Sequence, residues 1–407
     1  MSLSGILSSA VSGLTLNASR VAASADNLAN VHTVGHKAAD VQGATLVTRQ
    51  ASATAYSAGG VRGRSRAEVS TQGLLQATSS TTDLAIAGQG FFAVQGRDGG
   101  TLYTRAGSFK PDSQGYLVNA QGFRLLGRPT DAQGQATGGD GLVPVNLKRV
   151  GGTADATTRL AVGANLPADA PVGDSHAVIA QARDSLGNPV SLSLTFTKTG
   201  ANQYDLSIAD PAGPVAGMAE EGGAGGGAYA VPVTFGSDGR PDGGAVSKLF
   251  VGNLSSGAAD LSVDIDLEGL TQFGSDFVLG RVETDGAGYG TSSGATVGPD
   301  GTVMALFENG ERRPIYRVSV ATFGNPEGLE SLSGNVYRAT EDSGAPTLRT
   351  AGEAEAGTVE AGALEQSTVD IGGEMVRTIL ARTAYSFNLE TLRAADEMQR
   401  ELLDTKA

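Results

Sequence analysis

The sequence predicts an α+β multidomain fold, with a terminal α-helical coiled-coil stem and two nested, mainly antiparallel β domains. Three observations point there. Apolar residues recur at helical spacing at both ends, and short apolar runs separated by glycine turns fill nearly everything between. The third is length: 407 residues exceed one ordinary core and suggest two to four domains. With 59 glycines and only 5% aromatic residues, those domains should have many tight turns and modest cores.

From Leu7 the first segment places Leu7, Val11, Leu14, Ala18, Val21, Ala25 and Leu28 at alternating steps of four and three, a coiled-coil seam. The run Asn30-Val31-His32-Thr33-Val34-Gly35 should end this helix near Asn30, after roughly 40 Å. Only Arg20 and Asp26 are charged between Leu3 and Leu28, while Ser8, Ser9, Ser12, Asn17, Ser19, Ser24 and Asn27 surround the seam. Such a surface suits burial among other helices on all sides. Residues 36–76, with Arg62, Arg64 and Arg66 in alternation, read as an extended connector packed on something else.

Short apolar runs then alternate with the turns Asp98-Gly99-Gly100, Gln114-Gly115 and Gln121-Gly122, and later with Asp300-Gly301 and Asn309-Gly310. Tyr316, Val318 and Val320 should alternate on one strand face. Residues 77–148 and 279–364 are assigned to an inner β domain, and 149–278 to an inserted outer β domain with strands at Val190 to Thr197 and Leu261 to Leu267. The glycine run Gly222 to Gly227 is a flexible loop within the insert. Segments near Lys148 to Gly152 and Gly274 to Gly280 are expected to act as hinges.

The last stretch, Thr368 to Leu403, is helix-like, with Val376, Ile379, Leu380, Phe387, Ala394, Met398 and Leu402 on a broad apolar stripe. Taken singly, such a stripe is more often the core of one domain. Two long seams at opposite ends instead suggest paired terminal helices, 1–35 and 365–407, that join each other and further copies of the chain. The candidate polymer-interface residues are therefore Leu7, Val11, Leu14, Val21 and Leu28, with Val376, Ile379, Leu380, Phe387, Met398 and Leu402.

Composition narrows the function. A net charge of −14 argues against nucleic acid and anionic membranes, and the lack of cysteine excludes disulfides and thiolate metal sites. The first thirty residues lack the charged start and continuous apolar core of a secretory signal, and no run is apolar for the roughly eighteen residues a membrane helix needs. Neither general secretion nor membrane insertion is expected.

The candidate chemistry is weak. Gly88-Gln89-Gly90-Phe91-Phe92-Ala93 fits a dinucleotide fingerprint only if a helix follows, yet the sequence continues as a strand. Gly290-Thr291-Ser292-Ser293-Gly294 resembles a serine-hydrolase elbow, but no histidine follows His176. Asp264, Asp266 and Glu268 alternate with Val263, Ile265 and Leu267, as one solvated and one buried strand face would. His32 and His36 have helical ligand spacing without the intervening glutamate, and Gly35 breaks the helix between them. No catalytic residue, cofactor or metal is expected.

Several segments resemble the bacterial flagellar axial proteins, the rod and hook family. Ser12-Gly13-Leu14, with Asp26-Asn27-Leu28-Ala29-Asn30-Val31 and Thr33-Val34-Gly35, resembles the family's N-terminal signature. Asp83-Leu84-Ala85-Ile86, Gly88-Gln89-Gly90-Phe91-Phe92 and Tyr103-Thr104-Arg105-Ala106-Gly107-Ser108-Phe109 resemble its first β domain; Leu364-Glu365-Gln366-Ser367, Val369-Asp370, Ala384-Tyr385 and Asn388 resemble its C-terminal helix. Within the family, Ala321-Thr322-Phe323, Asn325-Pro326-Glu327-Gly328-Leu329, Leu270-Thr271-Gln272-Phe273-Gly274 and Asp184-Ser185-Leu186-Gly187-Asn188 look like hook members.

The resemblance implies a structural subunit that polymerises into the hook, a curved flexible joint transmitting torque from rod to filament. Its implied partners are further copies of itself, the rod, the hook cap, hook-filament junction proteins and the type III export apparatus. It would lie outside the cell after export. The rivals are a distal rod protein and, from another class, an extracellular adhesin or polysaccharide-active β protein using Asp264 and Asp266.

Overall fold

The computed structural model describes residues 3–46, 59–137, 139, 141–149, 151–209, 229–242, 246–251 and 257–404. The glycine run Gly222 to Gly227 lies outside the described residues. The chain is mainly β, with one long helix near each end, α1 (Leu3–Ala29) and α2 (Ile371–Asp404). It divides into two compact units: residues 1–149, 295–305 and 313–407, and residues 150–294 and 306–312.

In the first unit, local chemistry sets the ends of both helices. The chain leaves α1 through Asn30 and Gly35, and Gly35 has φ +68°, a conformation a side chain would strain. Asp370 starts α2: Gly372 and Gly373 N–H groups donate to its Oδ1 and Oδ2, both at 3.1 Å, satisfying two of the amides a helix N-terminus leaves unpaired.

The stretch expected as an extended connector is a hairpin. Ala39–Thr45 pairs antiparallel with Val61–Ala67, with Gly43 directly opposite Gly63. Leu16 of α1 sits over this glycine pair, and a Cβ built on either glycine lies 3.0 Å from a Leu16 δ-carbon. A Cβ at either position would press on Leu16, which would have to give by a few tenths of an ångström.

The β part of this unit is an antiparallel sheet around Phe91, Tyr103, Leu126, Phe323 and Tyr337. Phe323 stands edge-on to Phe91 and Tyr103, with ring centroids 5.8 and 4.9 Å apart. Each glycine turn expected between strands has its glycine at positive φ, including Gly99, Gly115, Gly122, Gly301 and Gly310. One expected strand is interrupted. Arg312–Arg317 ends before Val318 and Ser319–Thr322 begins after it; Tyr316 pairs with Pro129 and Val320 with Phe92, so Tyr316, Val318 and Val320 do not share one strand.

The second unit has a four-stranded antiparallel sheet, Ser175–Arg183, Pro189–Gly200, Gln203–Ala209 and Tyr229–Thr234. A five-stranded sheet accompanies it. There Arg159–Pro167 runs parallel to Leu261–Asp266 and Thr271–Phe273 and antiparallel to Val278–Thr284. Leu160, Leu194, Phe196, Leu206, Val263 and Ile265 from the two sheets share one core. The pairing of Val278–Thr284 places the expected hinge at Gly274 to Gly280 inside this unit, which extends to Gly294.

Asp266 also departs from the solvated face expected of it. It is buried; Arg159 Nη2 donates to its Oδ2 at 2.5 Å, and Glu268 N–H to its Oδ1 at 3.0 Å. The Arg159 bond first, then the Glu268 amide, hold its pKa below the usual carboxylate value. A depressed folded pKa adds stability that is complete above the unfolded value of about 3.9 and is lost as pH falls through the folded one. Arg159→Ala should melt below the parent at pH 7, with the gap closing in strong acid. Thermal scans across that range check it, and a gap independent of pH would exclude the pair as its source.

Candidate assembly surface

The two helices lie side by side and antiparallel. Asn27 of α1 meets Glu374 near the start of α2, whereas Gly13 meets Asn388 farther along. Gly13 allows the approach: a Cβ there would stand 2.5 Å from Asn388 Oδ1. Asn27 Nδ2 donates to Glu374 Oε1 at 3.0 Å and to Ala39 O at 2.8 Å, and Asn27 Oδ1 accepts from Ala39 N–H at 2.8 Å. Arg377 Nη1 also donates to Glu374 Oε1, at 2.8 Å. One asparagine thereby fastens α1 to both the hairpin and α2.

Buried positions on α1 are Ala10, Gly13, Leu16, Asn17, Ser24 and Asn27, a mostly small and polar stripe. On α2 they are Glu374, Ala381 and Ala395. The expectation that the apolar seams themselves join the two helices is therefore corrected. Gly, Ser, Asn and Ala let backbones come close and supply hydrogen bonds, so they occupy the internal contact.

The seam residues are left outward. Val11 and Leu28 are exposed, and Leu7, Leu14 and Val21 are half-buried. On α2, Ile379 is 63% exposed and Leu380 and Phe387 are each 64% exposed; Val376 and Met398 are exposed too. Leu402 falls within α2, but its side chain lies outside the described residues. Large apolar side chains ranged along two neighbouring helices form a surface of the kind that marks protein association.

Both helices are rooted in a buried charge cluster that the sequence reading missed. Lys37 Nζ stands 2.5 Å from Glu365 Oε1, and Arg105 Nη1 stands 3.2 Å from Glu365 Oε2, with all three side chains 3% or less exposed. Gly73 N–H donates to Glu365 Oε1 at 2.8 Å, Lys37 also donates to Thr71 O, and Arg105 Nη2 donates to Gly88 O at 2.8 Å. Gly35 N–H donates to the Glu365 carbonyl at 2.8 Å, tying the exit of α1 to the approach to α2. Burial lowers the pKa of Lys37 and of Arg105, and the Glu365 carboxylate opposes both shifts.

The sites weighed for chemistry are not arranged for it. Gly88 and Gly90, both at positive φ, lead into the strand Phe91–Gln95, and Ser292 begins the strand Ser292–Val297. His32 is exposed; burial lowers the pKa of half-buried His36, with Asp26 opposing. Among the described residues, no group of three or more His, Cys, Asp or Glu is placed to hold a metal.

The family description "Flagellar hook protein FlgE/F/G D1 domain" matches residues 85–164, and "Flagellar basal body protein FlaE D2 domain" matches 154–287. "Flagella basal body rod protein" matches 7–37, and "Flagellar basal body rod FlgEFG protein C-terminal" matches 360–405. The flagellar hook protein FlgE of Rhizobium meliloti (strain 1021) is 36% identical over 418 residues, covering 100% of both chains. This chain belongs to the flagellar hook protein family. The hook protein of Brucella suis biovar 1 is 33% identical across 100% of both chains, and that of Escherichia coli K12 is 28% identical across 98% of this chain and 99% of its own. A crystal structure of Helicobacter pylori flagellar hook protein FlgE2 aligns at 13% identity with TM-score 0.46, over 72% of this chain and 99% of that one, too loose a likeness to define the fold. The family is structural, and this chain is a subunit of the flagellar hook. Among the described residues, no helix is long and apolar enough to cross a membrane.

Proposed function

We propose that the chain polymerises into a curved tube that couples rod to filament and transmits torque, with α1 and α2 as a coiled-coil stem that neighbouring copies surround. The observation that carries this is the outward apolar face of the helix pair. Each such residue gains roughly 1.5 to 3 kcal/mol when a neighbour covers it, and the chain itself leaves those on α2 bare. A tube needs contacts that do not close on themselves, so each subunit presents two different, complementary surfaces.

In this reading the second unit is a nested domain, inserted in the sequence of the first. Polar, glycine-rich surfaces there allow neighbours to slide as the tube turns. Export proceeds through the type III apparatus, and assembly under the hook cap ends at the junction with the filament. The chain performs no catalysis of its own.

Electron microscopy of the purified chain under polymerising conditions tests the proposal. Tubes are expected from the intact chain, and none from a chain lacking residues 1–30, which should remain a soluble β-rich monomer. Tubes from the truncated chain, or none from the intact one at any concentration, would refute the role given to the helices.

A further inference from the structure

The paired strands Ala39–Thr45 and Val61–Ala67 have two unlike faces. Leu16 of α1 lies over Gly43 and Gly63, so the odd-numbered residues face α1 and the even-numbered ones point away from it. The outer face therefore carries Arg62, Arg64 and Arg66 in a row, all exposed, opposite Ala44, Gln42 and Asp40 on the neighbouring strand. Arg66 is matched within the chain: Asp40 stands across from it, and its Nε donates to Glu327 Oε2 at 3.3 Å. Arg62 and Arg64 face uncharged residues, and neither makes an ion pair among the described residues. Arg64 lines a cleft of 750 Å³ whose far wall holds Glu327 and Asp342. Glu327 is occupied there, with Oε2 taken by Arg66 and Oε1 by the N–H and hydroxyl of Ser70. Two unmatched cations thus share one face of a chain whose net charge is −14.

Their counterpart lies on α2. Glu390 and Glu397 are exposed, and neither makes an ion pair among the described residues. Seven residues apart, they stand two turns and about 10 Å apart on one flank of the apolar row Phe387, Ala394 and Met398. Alternate residues of a strand lie roughly 7 Å apart, a spacing that long arginine and glutamate side chains can match to the helix.

Resting on the assembly reading above, we propose that the outer face of these strands docks α2 of a second copy of this chain, with Arg62 and Arg64 meeting Glu390 and Glu397. The two surfaces are different, so the contact repeats from chain to chain without closing, as a tube requires. The charges also give it direction. A helix turned end for end keeps its apolar row facing the neighbour but carries its glutamates on the opposite flank, where no arginine meets them.

Two double variants test this. Arg62→Glu with Arg64→Glu makes both surfaces acidic, and Glu390→Lys with Glu397→Lys makes both basic. All four positions are exposed, so each monomer should keep the parental melting temperature. For each variant alone the critical concentration for tube formation should rise roughly tenfold or more, because like charges then meet across the contact. An equimolar mixture should form tubes near the parental value, since each variant finds on the other the opposite charge it no longer finds on its own copies. Such rescue requires a contact between two chains. Either variant polymerising alone as the parent does would overturn the proposal, and so would a mixture no better than its components. A parent that forms no tubes would instead overturn the assembly reading. Should a double variant melt early, the single changes Arg64→Glu and Glu390→Lys repeat the mixing test with the same two outcomes.

Discussion

Glu365→Ala should lower the stability of the first unit by about 3 to 5 kcal/mol, the cost of breaking a buried ion pair by removing one partner. Two cations converge on this one carboxylate, and all three side chains are 3% or less exposed. Without Glu365, Lys37 keeps, among the described residues, the Thr71 carbonyl, Arg105 keeps the carbonyls of Ile86 and Gly88, and the Gly73 amide loses its acceptor. Lys37→Met should cost less, because Arg105 and Gly73 still satisfy the carboxylate. Urea unfolding of the two variants beside the parent checks both the size and the order. A Glu365→Ala midpoint within about 1 kcal/mol of the parent would show that water enters the site and replaces the lost charge. The loss matters beyond stability. Glu365 joins Lys37, just after α1, to the strand leading to α2, so the two helices should lose their common anchorage when it is removed.

That cluster was not legible in the sequence. Glu365 lies 260 residues from Arg105 and 328 from Lys37, and each of the three alone reads as an ordinary surface charge. Local chemistry was legible: the glycines of Asp98-Gly99 and Asn309-Gly310 adopt the positive φ their turns require, and α1 ends at Ala29, beside the expected Asn30. The pairing of Ala39–Thr45 with Val61–Ala67 was hidden because these strands lack apolar alternation, with Arg62, Arg64 and Arg66 on one and glycines at the crossing. The orientation of α1 was hidden for a related reason. A periodicity argument follows the large apolar side chains and assigns them to the internal contact. Here Gly13, Asn17, Ser24 and Asn27 repeat at helical spacing too, and that stripe is the one buried within the chain.

Ile379→Asp and Phe387→Asp should each abolish or strongly weaken polymerisation while leaving the monomer as stable as the parent. Both side chains are more than half exposed, and exposed positions generally tolerate change within about 0.5 kcal/mol, so the melting temperature should not move. In the polymer each substitution removes roughly 1.5 to 3 kcal/mol of apolar burial, equivalent to a roughly ten- to hundredfold rise in critical concentration, before the carboxylate's own desolvation is counted. Ala381→Asp provides the contrast. Ala381 is 4% exposed on the packed side of α2, so a carboxylate there is buried without a partner and should destabilise the monomer itself. Thermal unfolding and sedimentation of the three variants separate the two faces: the outer pair changes assembly alone, and the inner one changes folding first. If Ile379→Asp lowered the melting temperature as far as Ala381→Asp, the apolar face would be internal to the chain, and another surface would have to hold the tube together.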